Sequence, residues 1–238
     1  MGYKEPILVE IFLELHLPEG RLTPASFFDL VPALKEEFPE VEIQQVENIA
    51  LYPAVGEVTR TATPRVRCWS KERTRLVQLS PDLVVVNQVG QYLGWKAFED
   101  HFGSVKAVLD HAMGRVDVTS ISLNTLDSMV TPREGFAVGT YLNCGGNVVP
   151  GWYRDATSSC DITLGRGVLR DDGFNRQIRI AIRVDATQAQ IKMNAVFHDK
   201  LGPGVSIDQN LDRLHKESNR TFEDIITATT RQRMGGRT

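Results

Sequence analysis

Residues that could do chemistry are concentrated where charge alternates with apolar side chains. From Arg176 to Asp185 the even positions Ile178, Ile180, Ile182 and Val184 are apolar, and the odd positions Gln177, Arg179, Ala181, Arg183 and Asp185 are polar or small. Successive strand residues point to opposite faces, so this spacing predicts a strand with one core face and one basic face. In the following segment Met193, Ala195 and Phe197 take the core parity, while Lys192, Asn194 and His198 take the other. If the two strands pair, Arg179, Arg183 and Lys192 share one sheet face. Arg166 and Arg170 in the preceding strand are candidates to join it. Guanidinium groups bind phosphate and carboxylate bidentately, so such a face suits anion recognition. The competing reading is an ordinary charged, solvated sheet face.

The remaining reactive side chains are scattered. His16 ends the first strand on the same face as Glu10 and Glu14, a set that reads as an acid/base or metal site only if other strands add ligands. His215 falls near the apolar stripe of the last helix and reads as a packed histidine bonded to a backbone carbonyl. His198 and Asp199 are adjacent in a strand, point to opposite faces and make a poor proton-transfer pair. Asn87 and Gln88 leave an apolar strand toward Tyr92 and Trp95, as either the lining of a ligand groove or a turn-capping network.

Several chemistries lack their signatures. The chain has no Gly-x-x-x-x-Gly-Lys-Ser/Thr loop, no Gly-x-Ser-x-Gly elbow and no His-Glu-x-x-His pair. Gly165-Arg166-Gly167 sits inside a strand pattern and reads as a bulge or close backbone approach, not a dinucleotide fingerprint. Cys68, Cys144 and Cys160 are odd in number and lack Cys-x-x-Cys spacing. Neither a disulfide framework nor a zinc site follows, and we expect no cofactor and no tightly held metal.

The elements that must position these residues read as follows. Odd positions Ile7 to Leu17 are all apolar, which predicts a first strand. Thr23 caps a helix with Pro24 at its first position; Pro32 should kink it and Pro39 stop it. Residues 44 to 63 read as a surface loop. Strands are expected at Arg65–Ser70, Thr74–Leu79 and Leu83–Val89, a helix at Trp95–Met113 closed by Gly114, and a strand at Thr119–Leu126. A connection rich in Gly and Pro, Thr131 to Ser159, leads to a meander of Asp161–Leu169, Arg176–Val184 and Gln190–His198. One long helix, Ile207 to Met234, closes the chain before Gly235-Gly236. The class expected is α+β, with antiparallel sheets covered by helices, two sheet-rich halves (1–130 and 161–238, joined by 131–160, or one continuous domain) and a long C-terminal helix.

Composition bounds the function. With 42% hydrophobic and 24% charged residues the chain is globular rather than disordered. Its apolar runs are strand-length, too short to span a bilayer, so no membrane partner is expected and a cytoplasmic location follows. Residues 1 to 60 hold four Lys or Arg against eleven Asp or Glu, a balance of −7. The remainder is +4, an asymmetry that steers an anionic partner toward the C-terminal part.

With these segments placed, the chain resembles a sporadically distributed family of bacterial and archaeal proteins without assigned function. The match runs nearly end to end: Pro6-Ile7-Leu8-Val9-Glu10, Glu36-Glu37-Phe38-Pro39, Leu76-Val77-Gln78-Leu79, Asn87-Gln88, then Tyr92, Trp95 and Phe98. Leu214-His215, Phe222-Glu223 and Ile226-Thr227 complete it. Where that family has Arg-Tyr-Ile-Asn, this chain has Asn124-Thr125-Leu126-Asp127. The resemblance implies a fold and a prokaryotic origin, with defence loci or toxin–antitoxin modules as the genetic setting, and it carries no activity across.

The function expected is therefore a non-enzymatic binding protein for a macromolecular or anionic partner, protein or nucleic acid, as an antitoxin or accessory factor. Two alternatives stand beside it. One is an enzyme or sensor acting on a phosphorylated or nucleotide ligand, with Arg179 and Arg183 as anion clamps. The other is a structural homo-oligomer built through the C-terminal helix.

Overall fold

A computed structural model describes residues 3–52, 57–114, 117–143, 160–169, 174–202 and 205–236. The fold is α+β. Its strands form one nine-stranded antiparallel sheet in the order β2-β3-β4-β5-β1-β6-β9-β8-β7. The chain divides into two compact units interleaved along the sequence. One holds residues 12–89 and 95–121; the other holds 1–11, 90–94 and 122–238.

In the first of these units, β1 (Leu8–His16) carries the expected parity: Leu13, Leu15 and then Leu17 are buried. Helix α1 (Pro24–Leu34) starts at a capping box in which the Thr23 hydroxyl accepts from the Ser26 backbone N–H and Ser26 returns a bond to the Thr23 N–H. It ends at Leu34, shorter than the spacing through Phe38 suggested. The Pro32 ring removes one backbone donor, and the following N–H groups of Lys35 and Phe38 close a tight turn onto Pro32 and Leu34. Helix α2 (Trp95–Met113) stops at Gly114, whose φ of 70° suits glycine. Phe98, Phe102, Val105 and Leu109 of α2 are buried, and α2 packs on α1 and on β5 (Leu83–Val89).

The largest correction also lies in this unit. Residues read as a loop form most of a long hairpin, β2 (Glu40–Tyr52) and β3 (Glu57–Trp69), paired in one unbroken register from Glu40↔Trp69 to Tyr52↔Glu57. β2 alternates weakly because it is an edge strand with polar residues on both faces. The expected strand at Arg65–Ser70 is the end of β3, which pairs with β4 (Arg75–Ser80).

In the second unit β6 (Ser120–Pro132, whose first two residues belong to the first unit) runs longer than expected. A short helix α3 (Val138–Tyr141) follows. Strands β7 (Cys160–Leu169), β8 (Asn175–Val184) and β9 (Gln188–Lys200) form the expected antiparallel meander. Its core gathers Ile180, Ile182, Val184, Ile191 and Met193 with Met129, Leu142 and Ile226. The single C-terminal helix is instead two: α4 (Ile207–Ile225) and α5 (Ala228–Arg233). Ile226 leaves helical geometry to bridge Leu142, and Thr227 restarts the helix by accepting from the Thr230 N–H. The α4 stripe Leu211, Leu214 and Ser218 is buried within this unit, where α4 packs on β9.

Candidate functional site

The alternation in β8 and β9 places the basic residues as follows. Ile180, Ile182 and Val184 are buried, whereas Arg179 and Arg183 are exposed; Met193, Ala195 and Phe197 are buried, whereas Lys192 and Asn194 are exposed. Registry sharpens the picture. Arg179 stands opposite Asn194, Ala181 opposite Lys192 and Arg183 opposite Gln190. Lys192 therefore sits beside the gap between the two arginines, on the same face. Arg179 and Arg183 are about 13 Å apart along the strand, with Lys192 on the diagonal about 7–8 Å from each. Asp161 takes the row of Arg183 on the other side of β8, and Gly165 that of Arg179.

The two remaining sequence candidates do not extend this cluster. Arg166 occupies the row of Ile178, not a row of Arg179 or Arg183, because the β7–β8 register is offset by one from the pairing that would align the arginines. Arg170 lies outside the described residues. Arg176, at the other parity, donates to Thr221 Oγ1 of α4 at 2.8 Å and so anchors the helix.

Beside the cluster, polar side chains fasten β9 to β6: Gln190 Nε2 donates to Ser128 Oγ at 3.2 Å, and His198 Nδ1 lies 3.0 Å from Ser122 Oγ. Asp199 is buried and faces Arg213 of α4 at 3.4 Å, so His198 and Asp199 do point to opposite faces. His215 Nε2 bonds the Asn219 amide on its own helix at 2.8 Å. His16 lies 3.6 Å from Glu14. Asn87 accepts from Gln78 Nε2 at 3.1 Å, while the adjacent Gln88 has a buried Nε2 without a partner.

A second polar cluster, in the unit of α1 and α2, is not legible in the sequence. Arg75 pairs with Glu37, whose other oxygen accepts from Ser104 Oγ at 3.2 Å. His101, 4% exposed, packs on Phe38 with ring centroids 5.6 Å apart. Neither ring nitrogen of His101 finds hydrogen-bond geometry, although the Asn87 backbone approaches the ring. Burial, with the neighbouring Arg75 charge, lowers its pKa to about 4, so the ring is neutral at pH 7. Near the β2–β3 hairpin, Arg67 and Arg73 lie over Trp69 at 4.9 and 5.4 Å, and their charges are matched by Glu40 and Glu42.

Two further groups are displaced by burial alone. Asp127, 5% exposed on β6, has its pKa raised to about 7, and the Cys68 thiol is pushed up to about 11, which leaves it unreactive. Among the described residues no three His, Cys, Asp or Glu side chains gather to hold a metal, and no helix is long and apolar enough to cross a membrane. No protein-family profile matches the chain, and no curated protein is similar to it.

Proposed function

We propose that the protein binds an anionic macromolecular partner through the sheet face of Arg179, Lys192 and Arg183, without catalysis. The observation that carries this reading is the β8–β9 register, which sets an exposed lysine between two exposed arginines on one face. Three cationic residues, with the lysine Cα about 7–8 Å from each arginine Cα and the arginines about 13 Å apart, suit successive phosphates or spaced carboxylates rather than one small anion. Asn194 and Gln190 flank them with neutral amides that donate and accept hydrogen bonds. The strands hold the Cα positions fixed, which limits the ordering cost on binding to the side chains themselves.

The face is tested by retention on an immobilised polyanion. Wild type should elute at higher salt than the Arg179→Ala/Arg183→Ala double variant, with both proteins melting at the same temperature, since neither side chain belongs to the core. Elution of the two proteins at the same salt would remove this face from the functional account. A role in a prokaryotic defence module, as antitoxin or accessory factor, and a cytoplasmic location are the settings this reading favours.

A further inference from the structure

Apart from its three cations, the face of Arg179, Lys192 and Arg183 is small and polar. β8 adds Gln177 and Ala181 to it, and β9 adds Gln190, Asn194, Val196 and His198. No Phe, Tyr, Trp, Met, Leu or Ile of these two strands shares the face, since the large apolar side chains take the other parity. Protein interfaces are built on aromatic and methionine side chains in desolvated pockets, with lysine depleted, and β8 and β9 offer no such anchor here. Nucleic-acid interfaces are polar and strongly basic, and Arg, Lys, Asn and Gln are among the side chains that contact phosphate. β7 lowers the floor beside the cations: Gly165 stands opposite Arg179 and Gly167 opposite Gln177. A Cβ added at Gly167 would meet nothing within 4 Å, and glycine within a strand marks a place where another backbone can come close. Among the described residues Arg179 and Lys192 pair with no carboxylate, whereas Arg67, Arg73 and Arg75 are each matched by a glutamate.

We propose that the partner is a nucleic-acid duplex, held by its sugar–phosphate backbone without reading of the bases. This rests on the binding face proposed above and names its occupant. A duplex carries one negative charge per about 1.7 Å of axis, so cations on this face meet phosphates in any register. An acidic protein would need carboxylates placed to match three fixed Cα positions. Single-strand binders stack splayed bases on aromatic side chains. The one ring that β8 and β9 place on the face, His198, lies against Ser122 instead, so the bases stay stacked in their duplex. Base edges are read inside the major groove, about 12 Å wide, which admits a helix or a two-stranded ribbon. β8 and β9 are flanked by β7 and β6, and four strands span about 14 Å before their side chains are added. The face is therefore too broad to enter the groove and rests on the backbone.

The test is fluorescence anisotropy at low salt with four probes: an A·T duplex, a G·C duplex, one strand alone and a polyglutamate peptide. Wild type should bind both duplexes alike, and bind them several-fold more tightly than the single strand or the peptide. Arg179→Ala/Lys192→Ala should bind the duplexes more weakly, with a log–log salt slope shallower by about 1.8, roughly 0.9 for each phosphate contact removed. Its melting temperature should match that of wild type, because both side chains are exposed. Tighter binding of the peptide or of the single strand, lost in the variant, would overturn the duplex and leave the face standing. A marked preference for one duplex over the other would overturn recognition through the backbone alone. Equal affinity of wild type and variant for every probe, or no binding of any probe by wild type, would remove both the duplex and the face.

Discussion

Two buried ionisable side chains act on stability in opposite directions over one pH range. Asp127 is raised from 3.8 to about 7 by burial, so between these values the folded chain holds a proton that the unfolded chain has released. Its contribution is fully present below about pH 3.8 and is lost as pH rises toward 7. His101 is lowered from 6.5 to about 4, so in its range the unfolded chain binds the extra proton, and stability is lost as pH falls from 6.5 toward 4. Asp127→Asn should therefore gain stability relative to wild type on going from pH 4 to pH 8. The gain should reach up to a few kcal/mol, because each tenfold difference in proton affinity between folded and unfolded chain is worth about 1.4 kcal/mol. His101→Phe should hold its melting temperature at neutral pH and lose less than wild type on acidification, because an imidazole without hydrogen bonds is exchanged for a ring that needs none. Thermal unfolding of the three proteins across pH 4 to 8 checks both signs. Neither group announces itself in the sequence. Asp127 lies one residue past the point where alternation predicts the end of β6, and the surroundings of His101 come from the turn after α1 (Glu37 and Phe38), from β4 and from β5, distant in the chain.

At the scale of elements, legibility follows the contrast between the two faces. β1 has a buried face and a wetter one, and Leu13, Leu15 and Leu17 fall where alternation puts them. β8 and β9 behave likewise. The β2–β3 hairpin escapes such a reading because an edge strand carries polar residues on both faces, and pairing with the next strand, not an alternating pattern, makes it a strand. The C-terminal helix keeps its apolar spacing across a break that tertiary contacts impose: Ile226 pairs with Leu142, and Asn143 Nδ2 donates to the Ile226 carbonyl at 2.9 Å. Thr227 both caps α5 and donates to the Thr140 carbonyl at 2.6 Å. Thr227→Ala should cost about 1 kcal/mol in denaturant unfolding, with the slope unchanged. Thr227→Ser, which keeps the hydroxyl, should recover most of it.

For the whole molecule, the α+β class and the antiparallel meander are readable from the sequence, and so is the basic face, since alternation alone separates Arg179 and Arg183 from the core. Registry is not: it places Lys192 between the arginines and sets Arg166 in the row of Ile178. The net charge of −3 does not favour anions, so the proposed binding would have to come from the local arrangement of cations rather than from the net charge of the chain. The decisive measurement is the affinity for a single-stranded oligonucleotide and for a polyglutamate peptide over a range of salt, for wild type and for Arg179→Ala/Arg183→Ala. The account predicts that wild type binds at least one of these polyanions and that its affinity falls with salt. If the bound partner is the nucleic acid, the double variant should bind more weakly, with a log–log salt slope shallower by about 1.4, roughly 0.7 for each phosphate contact removed. Equal affinities and equal slopes for the two proteins, or no binding of either polyanion by wild type at low salt, would contradict it.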